Sequence, residues 1–240
     1  MNKSTFENII HKYYLGSLCE SVKWVNTPEQ LCIKFINGTS NLFGLLTVDT
    51  FDKSEFTIGV FDSSKLLKLV KIVDDEFLFE VTDKETKIKL QDSKYKIEYT
   101  LADINVIPDV PSKVNEPKEW ECVFKIDKVV TKNILQAKKA LPDTNIISFS
   151  RSGKDISCTV GDMLYNSNKI NILIEGSNDS PLMDTISYPL DIFSEILDNN
   201  SDMSEGIVYI SEGGIAKLVF DKYTDTTTNI KITYYLIANQ

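Results

Sequence analysis

The sequence predicts an α+β protein of two similar halves, each with two helices packed on antiparallel strands. Three observations lead there. Single helix-like segments alternate with runs of short strand-like ones, the helices recur at a regular spacing, and a proline-rich stretch divides the chain near its middle.

The first helix is expected over 4–15, where Phe6, Ile9, Ile10 and Tyr13 share one helical face. Ser4 stands as its N-cap, with Glu7 three residues on completing a capping-box pattern. Strands follow at 22–26, 31–36, 42–48 and 56–61, broken by turn signals at Thr27-Pro28 and Asn37-Gly38. A second helix, 63–73, packs through Leu66, Leu69, Val70 and Val73, with Lys68 and Lys71 opposite and Lys65 at the edge. Strands at 77–82, 87–91 and 94–101 complete the first half.

Pro108, Pro111 and Pro117 are three of the seven prolines and are interleaved with charges. Neither a helix nor a central strand tolerates that density, so 108–119 reads as a connector between domains 1–107 and 120–240. The order then restarts: strand 121–126, helix 127–141, and strands 146–150, 155–161, 169–175 and 184–188. A fourth helix covers 189–198, with Pro189 at its first position, where the missing N–H costs nothing. A hairpin turning at Gly213-Gly214 and a strand at 229–237 close the chain. Helix starts at 4 and 63 recur near 127 and 190, roughly 125 residues on, as an internal duplication would give.

In helix 127–141, at about 100° per residue, Lys128, Lys132 and Lys139 project together while Val130, Ile134, Ala137 and Leu141 cluster on the far side. Lysine on such a face is most often there for solvation. In a chain of net charge -9, however, placing it on selected helices also fits a local surface for a polyanion.

Composition excludes several classes. The chain of 240 residues is 42% hydrophobic and 25% charged, which suits a globular protein needing no covalent staples. No apolar run has the length of a membrane span, and Glu7, His11 and Lys12 interrupt the place where a signal peptide would be apolar. An intracellular, cytoplasmic protein is expected, in the host cytoplasm if it is viral. Cys19, Cys32, Cys122 and Cys158 lack metal-ligand spacing and His11 is the only histidine, so free thiols and no structural metal are expected. The Asn-x-Ser/Thr matches at 37–39 and 199–201 would need a secretory route. No phosphate loop, nucleophile elbow or second histidine supplies catalysis, and no cofactor is implied. The acidic run Asp74, Asp75 and Glu76 reads as a helix-to-strand loop, although a hydrolase using these carboxylates stays open.

Taken together, the duplicated two-helix unit, the connector and the helix lysines resemble the sliding clamps of DNA replication, the two-domain type of eukaryotes, archaea and T-even-like bacteriophages. Phe56-Thr57-Ile58-Gly59-Val60 with 63–71 is similar to a clamp's first-domain strand and second helix. Ile232-Thr233-Tyr234-Tyr235-Leu236 is similar to the family's last strand.

The resemblance implies a non-enzymatic DNA-clamp fold assembled as a closed homotrimeric ring. Its helices would line a hole for duplex DNA, and it would tether a DNA polymerase as a processivity factor after loading by a separate clamp-loader ATPase. Of 26 lysines and arginines only Arg151 is an arginine, a bias that suits sequence-independent attraction. By position, Lys12, Lys65, Lys68, Lys71, Lys128, Lys132 and Lys139 would face DNA. Helix 189–198 departs from this pattern, since it shows Asp191, Glu195 and Asp198. Subunits would join by the edge strands 94–101 and 169–175, Lys94 and Lys96 meeting Glu175; edge lysines also guard a bare sheet against aggregation. The partner-peptide pocket would draw on Ile36, Leu42, Val106, Ile107, Val110, Leu236 and Ile237, each of which is equally readable as core. A second reading is a β-rich structural or adhesive protein, such as a viral particle component, that binds no DNA.

Overall fold

In the computed structural model every second residue of the strands Gln30–Ile36 and Leu42–Asp49 is buried, the period-2 alternation of a sheet with one packed face. The structure describes the chain apart from residues 83, 112–113, 153, 163–166, 177–183, 204, 224–228 and 240, and apart from the side chains of 152, 222 and 223. The chain forms two compact units, Met1–Pro111 with Tyr223–Ile232, and Ser112–Lys222 with Thr233–Gln240.

The first unit runs α1 (Lys3–Tyr14), a 3-10 turn (Leu15–Ser17), β1 (Val22–Asn26), β2 (Gln30–Ile36), β3 (Leu42–Asp49), β4 (Phe56–Val60), α2 (Ser63–Val70), β5 (Leu78–Val81), β6 (Lys87–Gln91), β7 (Lys96–Thr100) and a second 3-10 turn (Ile104–Val106). Its strands make antiparallel sheets of order β4-β1-β2-β3 and β5-β6-β7. Phe6 on α1 sits at the centre of the core, its ring centroid 5.5 to 5.7 Å from those of Trp24, Phe77 and Phe79. Such aromatic contacts add to the large apolar area these rings bury. Gly44 faces Phe35 across the β2–β3 pair, and a Cβ there would lie 2.0 Å from the ring. Only glycine lets the ring cover the strand.

The second unit runs β8 (Cys122–Asp127), α3 (Lys128–Ala140), β9 (Ile146–Ser152), β10 (Asp155–Gly161), β11 (Lys169–Glu175), β12 (Ile186–Pro189), α4 (Leu190–Asn199), β13 (Glu205–Ile210) and β14 (Ile215–Tyr223). The last strand, β15 (Asn229–Ile237), starts among residues of the first unit and ends among those of the second. The sheets are β11-β10-β9-β12 and β8-β13-β14-β15. Phe149 anchors this core, 5.3 Å from Phe193 on α4 and 5.4 Å from Phe124 on β8.

The α+β expectation holds, and differences lie at element ends. The N-cap of α1 is Asn2, not Ser4: Asn2 Oδ1 accepts from the Thr5 N–H at 3.1 Å and from the Ser4 hydroxyl at 2.7 Å. The second helix stops at Val70. Pro189 is the N-cap of α4 rather than its first helical residue, its ψ of 116° being extended. Strand β7 starts at Lys96 because Asp92 Oδ1 takes the N–H groups of Lys94 and Tyr95 in a turn.

Asp127 caps α3, its Oδ1 accepting from the N–H groups of Val129 at 2.9 Å and Val130 at 2.8 Å. Replacing it with alanine leaves both donors without that partner. Asp127→Ala is expected to lower unfolding free energy by about 1 kcal/mol, read from the urea midpoint at unchanged slope.

Candidate nucleic-acid interface and partner surface

Helix α2 is set by its cap and its buried stripe. Asp62 Oδ1 accepts from the Lys65 N–H at 2.7 Å, and Leu66, Leu67 and Val70 are buried, which turns Lys65, Lys68 and Lys71 outward. In α3, Ile134 and Ala137 are buried while Lys128, Lys132 and Lys139 are exposed. Val130 and Leu141 are only half-buried, and Val129 is 63% exposed. Within each unit the two helices pack together, α1 on α2 and α3 on α4.

Lys12 is the exception among the lysines expected to face DNA. It is fully buried, because it lies beside Ile9 on the packed side of α1, so it places no charge on the surface. Lys3 ties the same helix to α2, donating from Nζ to the carbonyls of Lys71 at 2.9 Å and Val73 at 2.8 Å. His11 is held below its usual pKa first by burial and then by the positive Lys71.

The acidic face of α4 is partly neutralised by a residue the sequence reading missed. Lys138 Nζ lies 3.0 Å from Asp191 Oδ1 and 2.6 Å from Ser194 Oγ. Nothing in the sequence signals this pair, because it depends on how α3 and α4 pack. Glu195 Oε2 accepts from Asn199 Nδ2 at 3.2 Å, and Asp198 is exposed.

At the sheet edges, β7 pairs with β6 and β11 with β10, and each is the outer strand of its sheet. Lys96 and Glu175 are exposed on these edges. Lys94 lies in the turn before β7, and its ammonium is 3.2 Å from Asp74. Leu173 on β11 is 74% exposed. Its signal was legible, an apolar residue at an outward position of an alternating strand.

The residues expected to form a peptide pocket separate. Leu42, Ile107 and Leu236 are buried and belong to the cores, Ile107 lying within 3.1 Å of the space beside Gly59. Ile36 is half-buried, and Val106 and Ile237 are 60% and 52% exposed. Val110 lines a cavity of about 300 Å³ with Lys23, Val25, Cys32, Lys34 and Asp109, on the outer face of β1 and β2. Lys23 Nζ donates to Asp109 Oδ1 at 2.9 Å, which fixes the start of the 108–119 segment and holds the Asp109 carboxyl below its usual range.

The other end of that segment is fixed in the second unit. Lys217, opposite Tyr209 in the β13–β14 register, places its ammonium 5.7 to 6.0 Å from the ring centroids of Trp120, Tyr209 and Tyr235. It lies 2.7 Å from Glu116 Oε1, which also accepts from the Tyr235 hydroxyl. Burial works to raise the Glu116 pKa, but the hydrogen bonds from Lys217 and Tyr235 prevail and hold it below its usual value. Sequence reading missed this cluster, since its members come from four separate segments.

The run Asp74, Asp75 and Glu76 serves the local structure. Asp74 meets Lys94, the Asp75 carbonyl accepts from the Lys3 N–H, and Glu76 accepts from Asn2 Nδ2 at 3.0 Å. Among the described residues no group of three His, Cys, Asp or Glu side chains could hold a metal ion. No described helix is long and apolar enough to cross a membrane. All four cysteines are free, and burial pushes the Cys19, Cys122 and Cys158 thiols up to about 12.

This arrangement of helices on antiparallel sheets is the sliding-clamp fold. The chain superposes over its full length on solved structures of proliferating cell nuclear antigen, PCNA. Against PCNA of Entamoeba histolytica the TM-score is 0.74 at 12% identity, covering 100% of this chain and 97% of the other. For PCNA of A. fulgidus with the C-terminal region of FEN-1 bound the values are 0.78 and 16%, with the same coverage. For the PCNA2-PCNA3 complex of Sulfolobus tokodaii they are 0.75 and 15%, again with 100% and 97% covered. No family model and no curated protein matches the sequence, so the likeness is carried by the fold.

The contacts of Glu116 and His11 set three expected outcomes. Glu116→Gln removes the charge that Lys217 and Tyr235 hold, and amide exchange of residues 114–120 is expected to accelerate. In the wild type the same release is expected as pH falls below about 4.5 through the lowered pKa of Glu116. His11, by contrast, binds its proton more readily in the unfolded chain, so its contribution is full above pH 6.5 and is lost as pH falls below that value. The drop in melting temperature between pH 7.5 and 5.5 is therefore expected to be smaller in His11→Gln than in the wild type.

Proposed function

We propose that the protein is a sliding clamp, a non-enzymatic ring of three copies that encircles duplex DNA and tethers a DNA polymerase. The observation that carries this reading is the likeness of fold to PCNA along the whole chain. A separate clamp-loader ATPase would place it on DNA. It would act inside the cell, with domains 1–107 and 120–240 joined by 108–119.

Lys65, Lys68, Lys71, Lys128, Lys132 and Lys139 are the DNA-facing residues in this reading. Their exposed ammonium groups on capped helices support it, and Lys12 drops out because it is buried. Lysine attracts phosphates without the bidentate geometry that would fix a register, as a ring that slides requires. The free edges of β7 and β11 are the subunit contacts, with Lys96 and Glu175 as a charge pair and Leu173 as an apolar addition. Lys94, already engaged by Asp74, contributes less.

Partners would dock beside the connector, where Val110 and the outer face of β1 and β2 enclose the cavity at Lys23 and Cys32. The A. fulgidus neighbour carries the C-terminal region of FEN-1, so a peptide tail is the form of ligand to test.

Two measurements test the reading. Light scattering at tens of micromolar is expected to give three chains of 27.2 kDa, 81.6 kDa together. Replacing Lys68, Lys71, Lys132 and Lys139 with alanine is expected to abolish most stimulation of the polymerase by loaded clamp while leaving that mass unchanged. A persistent monomer, or full stimulation by the quadruple variant, would remove the clamp assignment.

A further inference from the structure

An apolar-floored opening on the second unit lies along the lysine face of α3. A cavity of about 410 Å³ is bounded on one side by Lys128, Lys132, Leu135 and Lys139, and its opposite wall is Asn200, Ser201, Met203 and Glu205 with Phe220. The volume falls within the range of small-molecule sites. Lys128 to Lys139 spans about 16 Å of helix at 1.5 Å per residue, so the opening is a groove flanked by cations rather than a point contact. Ile126, Met203 and Phe220 give it an apolar floor, each almost completely buried.

The charge balance of the walls selects the sign of the occupant. Two carboxylates line the cavity, and both are engaged: Asp127 caps the helix, and Glu205 lies 3.4 Å from the ammonium of Lys125 outside the cavity. The polar far wall is also committed, with Asn200 Nδ2 donating to the Ile196 carbonyl and the Tyr234 hydroxyl, and Ser201 Oγ to the Asp198 carbonyl. Lys128, Lys132 and Lys139 make no ion pair or side-chain hydrogen bond among the described residues. An uncharged ligand would leave these cations unused, and a bare inorganic anion would leave the apolar floor empty.

We propose that this groove binds an organic anion with an apolar body, an aryl or acyl carboxylate, sulfonate or phosphate. The body rests on Ile126, Leu135, Met203 and Phe220, and the anionic head lies among the lysines. The same lysines are assigned to duplex DNA above, so occupancy would lower the positive charge available to DNA. That consequence rests on the clamp reading; the binding itself does not.

The probe is 8-anilinonaphthalene-1-sulfonate, titrated into the full chain and followed by its fluorescence. Saturable binding at one site is expected. Lys132→Gln with Lys139→Gln should weaken it by about ten-fold or more, and Leu135→Gln should weaken it comparably, with melting curves unchanged. Decanoate should displace the dye at concentrations where sodium sulfate does not. Equal dye affinity in wild type and both variants would place the dye elsewhere and overturn the proposal. Displacement by sulfate as effective as by decanoate would reduce the site to a plain cationic patch and overturn it as well. Neither result touches the clamp reading, which is judged by ring mass and polymerase stimulation.

Discussion

Each helix of this chain has one apolar stripe, and burying that stripe on its neighbouring helix and sheets determines where everything else on the helix points. Leu66, Leu67 and Val70 on α2, and Ile134 and Ala137 on α3, leave no choice of orientation once they are inside. The lysines between them are carried to the opposite face by the 3.6-residue period alone. In an acidic chain this separates a local cationic surface from the overall charge without any special device.

The same constraint explains which parts of the structure the sequence disclosed. Strands β1, β6, β10, β11 and β15 were legible to the residue, because alternation and flanking turn residues are local information. Helices were found with their lysines, yet their ends moved by one to three residues wherever a cap decided, as with Asn2 against Ser4. Burial of an individual side chain was less legible. Lys12 lies at the margin of the packed stripe of α1, where periodicity leaves inside and outside open and only tertiary packing decides. Leu42, Ile107 and Leu236 were readable either as pocket or as core for the same reason.

Contacts between distant segments were not legible at all. Lys138 with Asp191, and Lys217 with Glu116 and three aromatic rings, join residues 53 and 101 positions apart. Strand alternation predicts that Tyr209, Lys217 and Tyr235 point outward, but not that they converge. These pairs matter to the candidate surfaces more than their modest energies suggest. An acidic α4 looked incompatible with a DNA-facing helix layer. With Lys138 drawn across to Asp191, part of that negative charge is cancelled inside the second unit, and the exposed lysines of α3 act against a smaller opposing field.

The 108–119 segment poses the opposite problem, because prolines deny it regular hydrogen bonding and it must be held by side chains. Asp109 on Lys23 and Glu116 on Lys217 supply that restraint, one near each end, and each is an exposed or half-exposed ion pair. Such pairs hold position while contributing little to global stability, since water and salt screen them. Lys217 is the stronger anchor because three ring faces supplement the carboxylate, and a cation over aromatic rings keeps its attraction when the carboxylate is protonated. The start of the segment, with Val110 over the cavity and the exposed Asp109–Lys23 pair as the ion pair described there, is therefore the end more easily displaced. If the proposed clamp reading holds, a partner peptide entering beside Val110 would have one exposed ion pair to exchange, while Glu116 would keep the far end on the second unit's sheet.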